Sequence, residues 1–428
     1  MHCTKRQKCG LGRGWRLGIG SGGLGIGANE ERRLKIEERK NTEQFIAKPQ
    51  AAFPHVSQSP PLQVSQSCSL VPRPFTPAPK HASLERGDKI QKQEIETVNA
   101  LVTGGSGFLG QYIVEQLVRR GDRVTAFCRR KSYPLEALDV NVFLGDLRDR
   151  PAVDDACRGV DTVFHVGGIA GMGGPWRLYR DTNVLGTQNV VDGCLANGVG
   201  RLIYTSSPSV TFDGRDQCGI NESVPYARRW LGCYAHSKAL GEQISLAANG
   251  RLGLLTCALR PHLIWGPRDR HLIPTIINAA RRGRLRRIGD GTNLVDTIYV
   301  ENAAAAHLSA ADALVPDSPV PGQAYFISQG EPVNCWAWID ELLALAGLPP
   351  VRKSVPQPLA YAAGAMWDGI YAAFHWQGDP PMTRFLALQL ATSHYFDISR
   401  AKRDFGYEPT ISVAEGMQRL KGALGIGD

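Results

Sequence analysis

The chain has 428 residues, of which 43% are hydrophobic and 21% are charged. These proportions are ordinary for a globular protein with a buried core, and they exclude collagen-like, coiled-coil and disulfide-rich scaffolds. The net charge of +9 is uneven, because residues 1–94 hold 16 basic and 8 acidic side chains whereas residues 95–428 hold 33 and 32. A nearly neutral body offers no electrostatic footprint for a phosphate backbone, so no nucleic-acid partner is expected.

The first 97 residues are predicted to be a disordered basic extension. They contain a Gly-rich run at 10–27 and eight prolines between 49 and 79, with little hydrophobic periodicity. Such a segment cannot bury enough apolar surface to offset the entropy that it would lose on ordering. The GIGSGG run at 18–23 has dinucleotide-like glycines but lacks the preceding strand that such a loop requires.

Other compositional signals favour a cytoplasmic protein. No secretory signal sequence follows Met1, and the ten cysteines include no CxxC pair, which indicates reduced thiols. No uncharged apolar run reaches the length of a spanning helix, and no spacing of Cys and His predicts a metal site.

From Val98 onward, apolar strands alternate with amphipathic helices, which predicts an α/β fold of the Rossmann type, a doubly wound parallel sheet. In chain order, strands are predicted at 98–103, 123–128, 140–144, 161–166, 201–205 and 254–260, and helices at 108–120, 151–158, 177–197 and 232–249. Alternation breaks after this point. We therefore predict a Rossmann domain over 98–265 and a substrate-binding and lid region over 266–428, partly interleaved with it.

The segment TGGSGFLG at 103–110 lies between the first predicted strand and helix, where a dinucleotide-binding loop belongs. Gly104 permits a tight turn, Gly107 lets the backbone approach a pyrophosphate, and Gly110 lets the helix pack on the strand. The predicted cofactor-binding residues of this loop are Thr103, Gly104, Gly107, Phe108, Leu109 and Gly110.

The end of the second strand predicts the type of cofactor. NAD-binding proteins place an acidic residue there for the ribose hydroxyls, but this chain has Cys128 followed by Arg129 and Arg130. A guanidinium suits a ribose phosphate through charge-assisted bonds, so NADP(H) is favoured and NAD(H) is the alternative. Two solvated surface arginines are the structural interpretation of the same pair.

A reactive pair is predicted within YAHSK at 234–238. Tyr234 and Lys238 are four residues apart, so on a helix both side chains emerge on one face. A nearby ammonium favours the phenolate form of Tyr234, which could then exchange a proton with a substrate oxygen. Both residues are also predicted to contact the cofactor.

These motifs together resemble those of the extended short-chain dehydrogenase/reductases, whose glycine spacing is GxxGxxG. LIYTSSPSVTFDG, YAHSKALGEQ and IGDGTNLVDTIYVENAAAAH resemble the 3β-hydroxysteroid dehydrogenase-type branch of the NAD-dependent epimerase/dehydratase group. The resemblance implies an NAD(P)-dependent oxidoreductase in which Ser207, rather than its neighbour Ser206, holds the reacting carbonyl oxygen. It also implies further cofactor contacts at Asp146, Leu147, Val166, Gly167, Gly168, Asn183 and Pro261. It assigns no role to His262, for which the sequence shows no second ligand nearby.

The C-terminal half, including MTRFLALQLATSHYFDISRAKRDFGYEP, is similar to the bacterial 2-alkyl-3-oxoalkanoate reductases of olefin biosynthesis. That family implies NADPH-dependent reduction of a 2-alkyl-3-keto acid to the 3-hydroxy acid. A sterol-type 3β-hydroxy dehydrogenase, a nucleotide-sugar epimerase or reductase, and a non-catalytic NADP-binding scaffold or redox sensor are the alternatives.

Four further expectations concern the start of the chain, its surface and its assembly. Because family members begin near ALVTGG, we hypothesise that Val98 is the native start. The small and aromatic segment 356–378 predicts either contact with a membrane surface or an enzyme partner, or a packed helix. The RRGRLRR run at 281–287 is typical of a solvated helix end, with binding of a substrate carboxylate as the alternative. A homo-oligomer is also expected from the family.

Overall fold

The structure is a computed structural model that describes residues 97–131, 133–138, 140–374, 376 and 378–424. The expectations for the N-terminal extension and its GIGSGG run therefore lie outside the described residues, apart from Thr97. The hypothesis that Val98 is the native start stays a prediction.

Strands and helices alternate along the first part of the described chain. In order they are β1 (Asn99–Thr103), α1 (Phe108–Arg120), β2 (Arg123–Cys128), α2 (Tyr133–Glu136), β3 (Asn141–Leu144), α3 (Arg150–Ala156), β4 (Thr162–His165), α4 (Trp176–Tyr179), α5 (Gly186–Ala196), β5 (Arg201–Thr205), β6 (Gln217–Ile220), α6 (Cys233–Ala247) and β7 (Leu255–Pro261). The six predicted strands and the boundaries of α1 agree with the sequence to within one or two residues.

Shorter strands and further helices follow. They are β8 (Ile264–Trp265), α7 (Leu272–Arg281), β9 (Arg287–Ile288), β10 (Leu294–Val295), β11 (Ile298–Tyr299), α8 (Val300–Asp312), β12 (Ala324–Ile327), β13 (Val333–Asn334), α9 (Cys335–Leu345), β14 (Ser354–Val355), α10 (Gln357–Ala373), α11 (Arg384–Gln389), β15 (His394–Phe396), α12 (Ser399–Phe405) and α13 (Val413–Ala423).

The main sheet is parallel, with seven strands in the order β12-β7-β5-β4-β1-β2-β3. The chain runs outward from β1 to β3 and then returns to place β4 on the other side of β1. The strand order reverses between β1 and β4, and in open sheets of this kind a ligand binds outside the carboxyl ends of the strands at such a point. The predicted doubly wound fold is confirmed.

Alternate residues of the central strands face two helical layers, as the two-residue period of a strand requires. Ala100 and Val102 of β1 pack in one core with α1 and α8. Leu101, between them, packs in a second core with side chains of α3 and α5. The sheet is therefore buried on both faces, which explains why its strands are almost wholly apolar.

The residues from 266 onward contribute to both parts of the protein. Helix α8 and strand β12 return to the main sheet, where β12 pairs with β7. The others build a four-stranded sheet in the order β13-β10-β15-β6 and a separate core rich in tryptophan. Strand β6 of that sheet comes from residues before 265, so the two parts exchange elements in both directions.

Two observations bear on contacts with lipid. No helix in the described ranges has the length and apolar character needed to cross a membrane. Within the segment 356–378, α10 and the residues after it leave Leu359, Met366, Phe374 and Trp376 exposed. A role of this segment in contact with a membrane or a partner enzyme stays a prediction.

Candidate active site

A cavity of about 1050 Å³ opens at the carboxyl ends of the central strands. Of the predicted catalytic and cofactor-binding residues, all but Thr103 and Asn183 line it. The lining set is Gly104, Gly107, Phe108, Leu109, Gly110, Arg129, Arg130, Asp146, Leu147, Val166, Gly167, Gly168, Ser207, Tyr234, Lys238 and Pro261. The fold thus brings together residues that span more than 150 positions of the sequence.

The glycine loop is shaped by close approaches that leave no room for side chains. Gly104 has a φ of +70°, and a Cβ on it would lie 2.8 Å from the Cα of Gly167. A Cβ on Gly110 would collide with the carbonyl oxygen of Gly104, so this glycine packs the helix against the loop and not, as predicted, against the strand. Helix α1 begins after Gly107 with no side-chain cap. Its first N–H groups are therefore available to an anion, which fits a pyrophosphate.

Thr103 and Asn183 lie behind the cavity wall and hold the loop that follows β4. Thr103 Oγ1 accepts a hydrogen bond from Gly167 N at 3.1 Å and contacts His165 Nδ1 at 2.7 Å. Asn183 accepts from Ile169 N at 2.7 Å, and its amide donates to Ile169 O and to Ser237 Oγ, both at 3.0 Å. Asn183 therefore ties the loop after β4 to helix α6.

The structure divides the predicted helix at 177–197 into three segments. A π-helical turn, Arg180–Leu185, separates α4 from α5 and contains Asn183. The sequence analysis did not identify this turn. Its bonds to Ile169 and Ser237 fix Asn183 in that turn.

The basic end of the cavity lies beyond β2. Arg129 and Arg130 are exposed and line the cavity, whereas Cys128 is buried. Asp146 accepts two side-chain hydrogen bonds from Arg148, at 2.9 and 2.8 Å. This contact lowers the pKa of Asp146 to about 2, with Arg129 contributing a weaker attraction. Arg148 also lines the cavity, and the sequence analysis missed it.

The reactive hydroxyls meet at the ends of β5 and α6. Ser207 Oγ accepts from Ser209 Oγ at 2.9 Å, which leaves its own hydrogen free to donate. Burial raises the pKa of Tyr234 and the Ser207 hydroxyl opposes that rise, so the pKa lies above its ordinary value and not below it as predicted. The cause is that no ion pair with Lys238 offsets the loss of water.

Lys238 is held one helical turn from Tyr234. Its ammonium donates to the carbonyl oxygen of Thr205 and lies 4.2 Å from the centre of the Tyr204 ring. Burial lowers the pKa of Lys238 to about 7, and the Glu242 carboxylate opposes this effect. The side chain can therefore gain or lose a proton near neutral pH.

Behind these residues lies a buried network that the sequence analysis did not identify. The carboxylate of Glu242 receives hydrogen bonds from Arg260, Ser206 and Tyr226. Both serines line the cavity, but only Ser206 donates to Glu242. The four-residue spacing from Lys238 to Glu242 was the available signal, since it places both on one face of α6.

The sequence analysis also missed a pair of histidines in the cavity. His262 Nε2 lies 2.6 Å from His394 Nδ1, and both rings line the cavity. The expectation that His262 has no second histidine nearby was wrong, because the two residues are 132 positions apart in sequence and meet only in the fold. In the part of the chain that is described, no cluster of three or more ligating side chains could hold a metal ion.

Comparisons with known proteins identify the family of this chain. The sequence profile of the 3-beta hydroxysteroid dehydrogenase/isomerase family matches residues 101–356. The chain belongs to this family. Its members, as dehydrogenases and reductases, confirm the expectation of an NAD(P)-dependent oxidoreductase.

The relatives described next carry two different names. The chain is 49% identical over 333 residues to a protein of Shewanella oneidensis and 48% identical over 325 residues to one of Stenotrophomonas maltophilia, both named 2-alkyl-3-oxoalkanoate reductase. These matches cover 76% and 75% of this chain and 86% and 98% of the relatives. A mouse protein named sterol-4-alpha-carboxylate 3-dehydrogenase, decarboxylating, is 36% identical over 74% of this chain and 88% of its own.

Solved structures support the fold. MoeE5 in complex with UDP-glucose and NAD aligns over 76% of this chain and 98% of its own, with a TM-score of 0.59 and 24% identity. The structure named gox2253 aligns over 77% and 98%, with a TM-score of 0.62 and 23% identity. At these identities the likeness establishes the shared fold.

Proposed function

We propose that this protein uses NADPH to reduce a 2-alkyl-3-oxoalkanoate to the 2-alkyl-3-hydroxyalkanoate. The observation that carries the proposal is that the hydroxyls of Ser207 and Tyr234 line the same cavity as the glycine loop, with Lys238 one turn further along the helix of Tyr234. These hydroxyls lie at the sheet edge where the glycine loop is built to receive a dinucleotide.

The chemistry divides between the cofactor and the chain. A bound reduced nicotinamide supplies a hydride to the carbonyl carbon. Ser207 donates a hydrogen bond to the carbonyl oxygen, because its lone pairs are engaged by Ser209. Tyr234 gives its phenolic proton to the oxygen as negative charge develops there. The product is an alcohol, and the nearby Lys238 ammonium stabilises the phenolate that remains on Tyr234.

Two features support a preference for NADPH. Arg129 and Arg130 line the cavity immediately after β2, and no carboxylate stands at position 128 to bind ribose hydroxyls. NAD in the titles of similar solved structures fits the dinucleotide site in general, but those proteins are less than 25% identical to this chain.

The names of the relatives support the substrate class. In a 2-alkyl-3-oxoalkanoate the carboxylate is two bonds from the reacting carbon. A sterol 4-carboxylate that reacts at carbon 3 has the same relationship. The cavity wall also includes Phe212, Phe385 and Phe396, which suit an alkyl chain.

The family match and the mammalian relatives favour a sterol or steroid 3β-dehydrogenase as the second candidate. This candidate predicts oxidation of a ring hydroxyl, preferably with NAD⁺. A nucleotide-sugar substrate has support only from the solved structures, whose likeness extends to the fold.

The test measures consumption of reduced nicotinamide with a long-chain 2-alkyl-3-keto acid and either NADPH or NADH, and runs steroid oxidation in parallel. Turnover with NADPH should fall about 10²- to 10⁴-fold in Tyr234→Phe, as expected for loss of a general acid. Tyr361→Phe on α10 is the matched control. Steroid oxidation without keto-acid reduction would reject the proposal in favour of the second candidate.

A further inference from the structure

His262 and His394 form a hydrogen-bonded pair, which we call the relay. The positions of its protons follow from the contact that His394 makes on the side away from His262. His394 Nε2 lies 2.8 Å from the carbonyl oxygen of Gln389, which can only accept, so His394 carries its hydrogen on Nε2. Its Nδ1 is then an acceptor in the neutral ring. The 2.6 Å contact therefore requires His262 to donate from Nε2, which leaves Nδ1 of neutral His262 as a lone pair.

The relay stands beside the reacting residues. Thr205 pairs with Leu259 in the parallel sheet, so the segments that lead on to Ser207 and to His262 leave the same end of the sheet, and both residues line the cavity. Phe212, from the segment that follows Ser207, packs edge-on against His394 with ring centres 6.4 Å apart. A group two bonds from a carbonyl carbon held by Ser207 is therefore within reach of His262.

The backbone after His262 is held in an uncommon conformation. Leu263 has a φ of +43°, in the left-handed region that favours glycine. The flanking peptide groups are fixed, since His262 N donates to Ile327 O at 3.2 Å and Leu263 O accepts from Ile298 N at 3.3 Å. Strain kept in place by its surroundings is characteristic of ligand-binding positions.

The arginines predicted as the alternative carboxylate ligands are elsewhere. Within the described residues, none of the five arginines of 281–287 lines the cavity. Arg286 donates to the carbonyl oxygens of Gly283 and Leu285, and Arg287 is 3.8 Å from Asp340. The carboxylate must therefore be recognised by another group.

From these positions, and on the basis of the proposed function, we propose that His262, backed by His394, binds the substrate carboxylate and takes up one proton as it does so. The protonated ring donates from Nδ1 to the carboxylate and from Nε2 to His394. One charge-assisted contact is made, and the cavity gains no net charge. The ligand class is a 3-oxo or 3-hydroxy carboxylic acid.

The surroundings determine the direction of the proton coupling. Burial keeps the pKa values of both imidazoles below their ordinary range, and repulsion from His394 lowers that of His262 further, so the rings are neutral near pH 7 without an anion. The charged and titratable groups on the surrounding elements are Asp216, Asp296, Arg260, Glu242, Tyr234 and Lys238. Asp216 attracts a proton toward His394, and the charge of Arg260 is compensated by Glu242. A bound carboxylate raises the pKa of His262, so binding must weaken as the pH rises.

The first experiment compares the 3-hydroxy acid with its carboxamide, both oxidised with NADP⁺, in His262→Gln and His394→Gln. Glutamine retains a hydrogen-bonding group but cannot become cationic. We expect KM for the acid to rise about tenfold or more in both variants, with little change in kcat and in KM for the amide. His271→Gln, at an exposed histidine of the same cavity, should leave the ratio of the two KM values unchanged.

Equal increases in KM for the acid and the amide, or no increase for either, would overturn the proposal, since a histidine that only packs against its neighbours cannot distinguish the two compounds. In the wild type, the ratio of kcat/KM for the acid to kcat/KM for the amide should fall by up to about tenfold per pH unit between about pH 6 and 8, because the titration of Tyr234 affects both compounds alike. A ratio that stays constant with pH would also contradict the proposal.

A binding measurement separates this inference from the proposed function and needs no variant. The hydroxy acid is titrated calorimetrically into the wild-type protein with NADPH, with which it cannot react, in phosphate and in Tris buffer, whose ionisation enthalpies differ. A difference in enthalpy equal to about one proton taken up supports the relay, even where no turnover occurs. Turnover without proton uptake would reject the relay and leave the proposed function standing, and absence of both would reject both.

Discussion

Arg260 donates two hydrogen bonds to Glu242, from Nε at 3.0 Å and from Nη2 at 2.5 Å, and both side chains are almost completely buried. The pair lies between β7 and α6, the two elements that carry Pro261 and the Tyr234–Lys238 pair. Since Ser206 also donates to Glu242, the end of β5 is fixed by the same carboxylate. The ion pair therefore connects three of the elements that form the cavity wall.

Breaking this pair should destabilise the protein strongly. In Glu242→Leu the Arg260 guanidinium stays buried without a compensating charge, which costs about 3–5 kcal/mol of unfolding free energy. Denaturant unfolding measures this loss. In Glu415→Leu, which breaks an exposed pair with Arg419, the change should stay below about 1 kcal/mol. Similar small effects in both variants would show that Glu242 does not contribute as its burial implies.

The two neighbouring serines should have separable roles. Ser207→Ala removes the donor to the carbonyl oxygen and should lower kcat/KM about 10²- to 10³-fold with little loss of stability. Ser206→Ala removes a donor to the buried Glu242 and should lower stability by about 1–3 kcal/mol. Kinetics and thermal unfolding on the same two variants test the assignment, and the reverse pattern would identify Ser206 as the catalytic serine.

The sheet and its loops were largely predictable because their signals are local. A buried strand has a short run of apolar residues, which the sequence shows directly. The glycine loop follows β1 in the chain, so a few adjacent residues indicate both where the loop lies and what it binds. Tyr234 and Lys238 were predictable for the same reason, since four residues on a helix fix a shared face. Strand β12 was missed because four apolar residues in a region without alternation do not distinguish a strand from a helix.

The parts of the site that sequence could not predict depend on distant contacts. His262 and His394 are 132 positions apart, and nothing in either local pattern indicates that they meet. Likewise, the raised pKa of Tyr234 results from burial, which spacing does not reveal. Spacing thus predicted which side chains share the cavity, whereas the environment that sets their proton affinities required the fold.

Arg129 should determine the cofactor preference. Arg129→Ala removes a charge-assisted bond to the ribose phosphate, a loss of about 1.5–3 kcal/mol for NADPH and little for NADH. The dissociation constants of the two cofactors, measured by fluorescence titration, should therefore converge. Arg158→Ala, at an exposed arginine paired with Asp155, controls for net charge. An equal loss for both cofactors would exclude Arg129 as the phosphate ligand.

His165 should give the protein an acid-sensitive stability. It is completely buried between Thr103 and Thr187, and burial lowers its pKa to about 3. Between that value and the ordinary pKa of 6.5 the unfolded chain binds a proton that the folded chain does not. Stability therefore rises with pH across this window and falls on acidification, by up to about 1.4 kcal/mol per pH unit for one group.

Replacing the ring with a group that does not titrate should remove this contribution. In His165→Gln the slope of unfolding free energy against pH, measured by denaturant unfolding between about pH 4 and 6, should decrease by close to one proton. The variant will also be less stable overall, since the two threonine contacts change, but the slope is independent of that offset. His271→Gln, at an exposed histidine, should keep the wild-type slope, and an unchanged slope in His165→Gln would show that the buried ring is protonated in the folded state.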